Sequence, residues 1–191
     1  PAAPGELRTI VVRLEGHEAR VVTAGGVFSG DHLDQATKIL LDAVPSPPAH
    51  GNLLDLGCGW GPIALALGFA SPQATVWAVD VNERALDLTR RNAAALDLPG
   101  VQAMLPDEVP TEITFDVIWS NPPIRIGKAA LHELLSQWLP RLNPDGVAYL
   151  VVSKNLGADS LTTWLNTALG APTTRLTSSG GYRILEVRRP A

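Results

Sequence analysis

The spacing of hydrophobic positions along the chain changes near residue 50. Before that point, residues 9–24 contain two β-rich runs that meet at Glu15-Gly16-His17, a pattern that predicts a β-hairpin. Residues 31–44 carry apolar side chains at helical spacing, and we predict a helix with Asp31 as its N-cap. After residue 50, short apolar runs alternate with helix-period segments. The predicted strands are 52–56, 75–79, 101–105, 115–119, 146–153, 173–177 and 182–188, and the predicted helices are 62–70, 83–96, 131–142 and 159–169.

This alternation of strands and helices favours βαβ units, and therefore an α/β fold with a mainly parallel sheet. The last two strands are an exception, because the residues from Ser178 to Gly181 are too few for a parallel crossover. We therefore predict that the last strand runs antiparallel. Within the helices, we expect Pro140 to distort a last turn and Asp159 to act as a cap.

The composition is that of a folded domain. The 191 residues are 46% hydrophobic and 18% charged, which excludes wholesale disorder, and no apolar run reaches the roughly 18 residues that cross a bilayer. The single cysteine, Cys58, excludes a disulfide framework, and the four histidines lack metal-ligand spacing. We predict one domain over 1–191, with the hairpin and first helix at 9–44 and the α/β core at 52–189. The expectation is a cytoplasmic enzyme with no metal and no membrane association.

The charge balance bears on the partner. Fifteen Lys and Arg residues against nineteen Asp and Glu residues give a formal net charge of −4. Domains that bind bare nucleic acid through its backbone usually carry a basic excess. Any RNA contact must therefore come from a local basic patch, or from a folded target that supplies its own shape.

A glycine-rich segment, Asp55-Leu-Gly-Cys-Gly-Trp-Gly61, follows the first core strand and precedes a helix. Its glycines let backbone approach a ligand closely at the carboxyl end of a strand. The spacing is not the G-x-G-x-x-G of a nicotinamide-dinucleotide site, and the absence of a Lys-Ser/Thr pair excludes a P-loop. Asp80, which follows the next strand, can accept two hydrogen bonds from ribose hydroxyls. We predict a ribose-bearing ligand with no requirement for a pyrophosphate; the alternative is a tight strand–helix turn alone.

A second segment, Asn121-Pro122-Pro123, ends the fourth core strand. Two consecutive prolines fix φ and remove two N–H donors. The Asn121 side-chain oxygen and the free Pro122 carbonyl would then form a paired acceptor for an –NH2 group. Holding both amino hydrogens would aim the nitrogen lone pair at a methyl donor. The alternative is an ordinary turn, since Asn-Pro dipeptides form turns.

The glycine-rich segment resembles motif I of the class I S-adenosylmethionine-dependent methyltransferases. Seven predicted strands with an antiparallel last strand also match the Rossmann-like sheet of that family. The resemblance implies S-adenosyl-L-methionine as cofactor, with Asp80 on the ribose hydroxyls and Asp107 as the nearest candidate for the adenine amino group. The implied cofactor-binding residues are Asp55, Gly57, Cys58, Gly59, Gly61, Asp80, Val81 and Asp107.

The tetrapeptide Asn121-Pro-Pro-Ile124 resembles the (Asp/Asn/Ser)-Pro-Pro-(Tyr/Phe/Trp) signature of amino-directed methyltransferases. The resemblance implies that Asn121, Pro122 and Pro123 are catalytic and that Ile124 contacts the substrate. Ile124 replaces an aromatic residue, so it can pack on a ring face with less specificity. Carbon-5 pyrimidine methylation is disfavoured, because it needs a nucleophilic cysteine and Cys58 lies inside the glycine loop.

Further segments resemble the small-methyltransferase family, which includes the RsmC-type 16S rRNA guanine-N2 methyltransferases. The resemblance covers roughly residues 9–189. The matching segments are 26–29 followed by Asp34, 121–128, 154–161 and 180–184.

This family resemblance implies methylation of guanine N2, with rRNA or a ribosomal particle as the partner. Phe28 and Ser29 would close over the cofactor or the target, and the basic residues Arg125, Lys128 and Lys154 would contact the substrate through its phosphates. Adenine N6 and a protein glutamine stay open as methyl acceptors. A non-catalytic relative that binds a nucleotide also stays open.

Overall fold

The computed structural model describes residues 6–25 and 32–191. Phe28, Ser29 and Asp31 lie outside the described residues, so the roles that the sequence suggests for them stay predictions. Within the described part of the chain, no helix combines the length and the apolar character needed to cross a membrane.

The predicted N-terminal hairpin is confirmed. Strand β1 (Leu7–Leu14) pairs antiparallel with strand β2 (His17–Ala24), and Glu15 and Gly16 make the turn at φ 49° and 77°. Alternating hairpin residues are buried against the side chains of the following helices. The members of this cluster with 0–1% exposure are Leu14, Ala19, Val21, Ala24, Trp60, Leu65, Ala66 and Leu88.

Helix α1 (Gln35–Ala43) begins later than the sequence predicts. Its N-cap is Asp34, whose extended backbone (φ −58°, ψ 139°) precedes the first helical residue and whose carboxylate accepts the Thr37 N–H at 3.2 Å. The assignment of the cap to Asp31 is therefore wrong. An aspartate three residues either way is an equally good cap, so the sequence alone does not choose between them.

The predicted α/β sheet is confirmed, with seven strands in the order β5-β4-β3-β6-β7-β9-β8. Its strands are β3 (Asn52–Leu56), β4 (Thr75–Val79), β5 (Val101–Met104), β6 (Phe115–Ser120), β7 (Leu142–Ser153), β8 (Thr173–Ser179) and β9 (Tyr182–Arg188). Strands β3 to β7 pair in parallel, whereas β9 is antiparallel to both β7 and β8. The last strand thus lies inside the sheet, and the turn before it uses Gly180 and Gly181 at φ 55° and 82°.

Helices cover both faces of this sheet. The remaining helices are α2 (Pro62–Ala70), α3 (Glu83–Ala95), α4 (Lys128–Trp138) and α5 (Ala158–Thr167). One apolar core lies between the sheet and helices α1, α2 and α3, and the other between the sheet and helices α4 and α5. Burial on both faces explains why the central strands are continuous apolar runs in the sequence.

Two helix boundaries differ from the prediction. Helix α4 ends at Trp138, and a 3-10 turn over Leu139–Arg141 leads directly into β7, because a proline at 140 can neither donate its missing N–H nor fit beneath the preceding turn. Helix α5 begins at Ala158 after Gly157, which holds φ 109°. Asp159 therefore lies in the first turn of α5 and is not its cap.

Candidate active site

The sheet order creates a switch point between two neighbouring strands. The chain runs from β3 outward to β4 and β5 and then returns to place β6 on the other side of β3. The carboxyl ends of β3 and β6 are adjacent, with Asp55 paired to Trp119. Such a crevice is where open α/β sheets bind ligands.

The two segments singled out in the sequence meet at this switch point. A Cβ atom on Gly57 would lie 3.8 Å from Cδ of Pro123, which is ordinary van der Waals contact. The buried Ser120 hydroxyl donates to the Leu56 carbonyl at 2.7 Å and ties the two strand ends together. The glycine loop and the Asn-Pro-Pro segment therefore form one site.

The glycine loop, residues 57–61, spends its backbone donors within the protein. Two of its N–H groups donate to the Val79 carbonyl at 2.8 and 3.0 Å, one donates to Asp80 Oδ2 at 2.9 Å, and one donates to the Cys58 carbonyl at 3.0 Å. A phosphate site of the nest type needs such donors free. The loop geometry therefore supports a ligand that is bound here without a pyrophosphate.

Asp80 organises the edge of this loop. Its Oδ2 accepts the Gly59 N–H and its Oδ1 accepts the Asn82 N–H, both at 2.9 Å, so it links the loop to the start of α3. Each oxygen of a carboxylate can accept a further hydrogen bond. Asp80 is half-buried and so can still meet the hydroxyls of a ribose, while Val81 beside it is 81% exposed.

Asp55 lies beneath the loop and is fully buried. Its Oδ2 accepts the Ala64 N–H in the first turn of α2 at 2.9 Å, and its Oδ1 has no hydrogen-bond partner among the described residues. Burial raises the pKa of the Asp55 carboxyl well above its usual range, the Ala64 hydrogen bond opposes this, and the Asp80 carboxylate reinforces it. A cationic group bound above the loop would offset the cost of this buried charge.

Cys58 fits its place as a small buried residue of the loop. It is 4% exposed, and its Sγ lies 3.6 Å from Oγ1 of Thr89. Burial raises the pKa of the Cys58 thiol well above its ordinary value, so the sulfur stays protonated and is a poor nucleophile. Thr89, which the sequence did not single out, also donates to the Gly59 carbonyl at 2.9 Å and braces the loop from α3.

The Asn121 side chain has a defined orientation. Its Nδ2 donates to Asp34 Oδ2 at 3.0 Å and to Thr37 Oγ1 at 3.2 Å, both on the side of α1. Its Oδ1 accepts no hydrogen bond from the residues that the structure describes. Asp34 entered the sequence analysis only as part of a resemblance, and Thr37 was missed, because nothing in its local sequence distinguishes it from other helical threonines.

The Pro122 carbonyl differs from the prediction of a free acceptor. It already accepts the Ile124 N–H at 2.9 Å, across a Pro123 whose φ of −75° and ψ of 82° are those of an inverse γ-turn. One lone pair of the oxygen is therefore used. A carbonyl oxygen has two, so a second hydrogen bond to a substrate remains geometrically possible.

The other predicted substrate and adenine contacts line the same edge of the sheet at different depths. Ile124 is half-buried and packs against the core on the α4 and α5 side. Arg125 and Lys128 are exposed on the turn after β6, and Lys154 is exposed directly after β7. Asp107 is exposed in the 3-10 turn after β5. These side chains form a rim above the strand ends.

Within residues 6–25 and 32–191, no group of three or more His, Cys, Asp or Glu side chains is placed to hold a metal ion. The chemistry that the described site offers is therefore that of a carboxylate pair, an oriented amide and a proline-rich turn.

Comparison with known proteins assigns the family. The chain is 34% identical over 163 residues to the uncharacterised Bacillus subtilis (strain 168) protein YbxB, covering 84% of this chain and 81% of that protein. It is 33% identical over 199 residues to ribosomal RNA small subunit methyltransferase C of Pseudomonas aeruginosa (strain LESB58), covering 99% of this chain and 58% of that enzyme.

Among solved structures, the fold matches a T. thermophilus 16S rRNA N2 methyltransferase (RsmC) in complex with AdoMet and guanosine. The TM-score is 0.84 at 27% identity, over 99% of this chain and 52% of that one. The chain thus spans little more than half the length of either RsmC relative. Residues 18–186 match the methyltransferase small domain, and the chain belongs to that methyltransferase family.

Proposed function

We propose that this chain transfers a methyl group from S-adenosyl-L-methionine to an exocyclic amino nitrogen, with guanine N2 of ribosomal RNA as the favoured acceptor. The observation that carries the proposal is the placement of Asn121: its amide oxygen has no partner among the described residues, and its strand end adjoins the glycine loop. Family membership supports the reaction class.

The residues of the glycine loop fit this cofactor. S-adenosylmethionine is cationic and contains a ribose but no phosphate, and when bound it supplies a methyl group activated by a sulfonium. Asp55, with an unpartnered oxygen, and Asp80 place two carboxylates at neighbouring strand ends. A cation here is electrostatically favourable, and Asp80 keeps acceptor capacity for the ribose hydroxyls.

The methyl acceptor would be held by the Asn-Pro-Pro segment. An amino group conjugated to a ring is a poor nucleophile because its lone pair is delocalised. Asn121 Oδ1 and the second lone pair of the Pro122 carbonyl would accept its two hydrogens, which favours a pyramidal nitrogen whose lone pair faces the methyl group. The same oxygens would stabilise the positive charge that develops on that nitrogen. Pro123 holds the turn that keeps the two acceptors side by side.

The RNA assignment rests on the rim and on the relatives. Arg125, Lys128 and Lys154 form a local basic group on a chain whose net charge is −4, so they can meet phosphates where the rest of the surface repels them. The solved RsmC relative is described as an rRNA N2 methyltransferase and was determined with guanosine. Both observations favour guanine in rRNA over adenine N6 or a protein glutamine.

The test offers the protein labelled S-adenosylmethionine with separate acceptors: ribosomal particles, naked rRNA, DNA and a release factor. We expect label in rRNA, and mass spectrometry of rRNA nucleosides from cells with and without the protein should show N2-methylguanosine only when it is present. Label in adenine or in a protein glutamine would refute the guanine assignment. Cofactor binding without transfer to any acceptor would instead indicate a non-catalytic relative.

A further inference from the structure

Helix α1 supplies Asn121 with two hydrogen-bond acceptors. Asn121 Nδ2 lies 3.0 Å from Asp34 Oδ2 and 3.2 Å from Thr37 Oγ1. Asp34 is the residue that caps the helix, and the same Oδ2 accepts the Thr37 N–H at 3.2 Å. Thr37 is only 3% exposed, so its hydroxyl is shielded from water. The N-terminus of α1 and the end of β6 therefore share one hydrogen-bond network.

This network selects one orientation of a group that has two. A primary amide can turn about its last torsion and exchange its oxygen and nitrogen ends. With Nδ2 toward α1, both amide hydrogens find acceptors and Oδ1 is left for another partner. The reverse orientation would place Oδ1 of Asn121 against the carboxylate of Asp34 and would leave the two acceptors without their donor.

The charge on Asp34 also changes the quality of the free end. A hydrogen bond from an amide N–H to a carboxylate is charge-assisted and stronger than a neutral one. Hydrogen bonds in a chain polarise one another, so donation toward Asp34 increases the negative partial charge on Asn121 Oδ1. Oδ1 then accepts more strongly from an N–H on its other side.

We propose that Asp34 and Thr37 are positioning residues for methyl transfer: they fix the Asn121 amide with Oδ1 toward the acceptor amino group and strengthen that oxygen as an acceptor. This inference rests on the proposed function, because it requires an amino group at Asn121. It assigns to the first helix a part in a site otherwise built at the strand ends of the sheet.

The variants separate this role from a structural one. Asp34→Asn removes the charge but keeps an N-cap, since asparagine caps helices as well as aspartate. Thr37→Val removes the hydroxyl at nearly constant volume, and Thr37→Ser restores it. The matched control is Asp42→Asn, which removes an exposed carboxylate of the same helix whose partner is Lys38 at 2.8 Å.

Turnover and cofactor affinity are measured on the full chain with the acceptor that wild-type protein methylates. We expect kcat to fall about 10-fold to 100-fold in Asp34→Asn, as for other residues that orient a reacting group. It should fall in Thr37→Val, recover in Thr37→Ser and stay at the wild-type value in Asp42→Asn. Affinity for S-adenosylmethionine by calorimetry should stay unchanged in all four.

A spectroscopic readout needs no substrate. The Nδ2 resonances of Asn121 in ¹⁵N-labelled protein are identified by their loss in Asn121→Ala. They should shift in Asp34→Asn and in Thr37→Val, and stay in place in Asp42→Asn.

Three outcomes bear on the inference. Wild-type kcat and unmoved Nδ2 resonances in Asp34→Asn and Thr37→Val would overturn it while the proposed function stands. A joint loss of kcat, cofactor affinity and thermal stability in Asp34→Asn would show a structural role and would also overturn it. A wild-type protein that methylates no acceptor would refute the proposed function itself.

Discussion

Two glycines of the loop, Gly59 and Gly61, offer a matched pair of substitutions that separates cofactor binding from folding. Both have a positive φ, 58° and 105°, so alanine at either position adopts a left-handed backbone at a cost of about 1–2 kcal/mol. Alanine also restricts the unfolded chain, which returns about 0.4–1 kcal/mol. The backbone term alone therefore lowers the free energy of unfolding by about 1 kcal/mol at each position.

The surroundings of the two positions differ. A Cβ at Gly61 would meet three atoms of Thr89 at 3.0–3.3 Å, an overpacked contact that costs a further 1–3 kcal/mol or so. A Cβ at Gly59 has no atom within 4 Å and points into open space above the loop. We therefore expect Gly61→Ala to lose about 2–4 kcal/mol of unfolding free energy and Gly59→Ala only about 1 kcal/mol.

The affinities should follow the opposite order to the loss of stability in Gly59→Ala. If the space above Gly59 is where the cofactor binds, a methyl group there should weaken S-adenosylmethionine binding about tenfold or more. Chemical denaturation gives the unfolding free energies, and calorimetry gives the affinities. A Gly59→Ala protein that binds within about twofold of wild type, a difference of about 0.4 kcal/mol, would show that the cofactor does not occupy this space.

Further predictions concern a buried amide, a buried acid and the basic rim. Asn92 makes three hydrogen bonds to backbone groups of β2 and the glycine loop, and Asn92→Leu should lower the unfolding free energy by about 3–5 kcal/mol by denaturation; a loss below about 1 kcal/mol would contradict this. Since burial raises the pKa of Asp55, its contribution to stability is greatest below the unfolded pKa of about 4 and falls as pH rises toward the folded value, so Asp55→Asn should gain stability relative to wild type between about pH 4 and 7 in urea titrations; a constant difference would refute it. Replacing Arg125 and Lys128 together by glutamine should raise KM for RNA and reduce its salt dependence by about two ions at unchanged kcat, and unchanged salt dependence would remove these residues from the RNA contact.

Much of the fold can be predicted because the determining signals are local. The hairpin follows from Glu15-Gly16, which take the left-handed backbone that a tight turn requires. The antiparallel last strand follows from a connection too short for a crossover, and the turn there proves to be Gly180-Gly181. The position of β9 between β7 and β8 has no such local signal, because it depends on which strand edge is available once the rest of the sheet has formed.

The candidate site divides in the same way. The glycine loop and the Asn-Pro-Pro segment can be found from sequence because each is a short contiguous pattern at a strand end. The hydrogen bonds from Asn121 to Asp34 and Thr37 cross 87 and 84 residues and involve common residue types, so only the folded chain shows them. The engagement of the Pro122 carbonyl depends on the ψ of Pro123, which a proline ring does not fix.

The central claim is that Asn121 Oδ1 holds the amino group that receives the methyl. Its most direct test is single-turnover methyl transfer by Asn121→Ala, with cofactor affinity measured in parallel by calorimetry. The account predicts a rate about 100-fold to 1,000-fold below wild type, as when one preorganised hydrogen-bonding group is removed from an active site, at unchanged affinity for S-adenosylmethionine. A variant that transfers methyl groups at the wild-type rate would contradict the account.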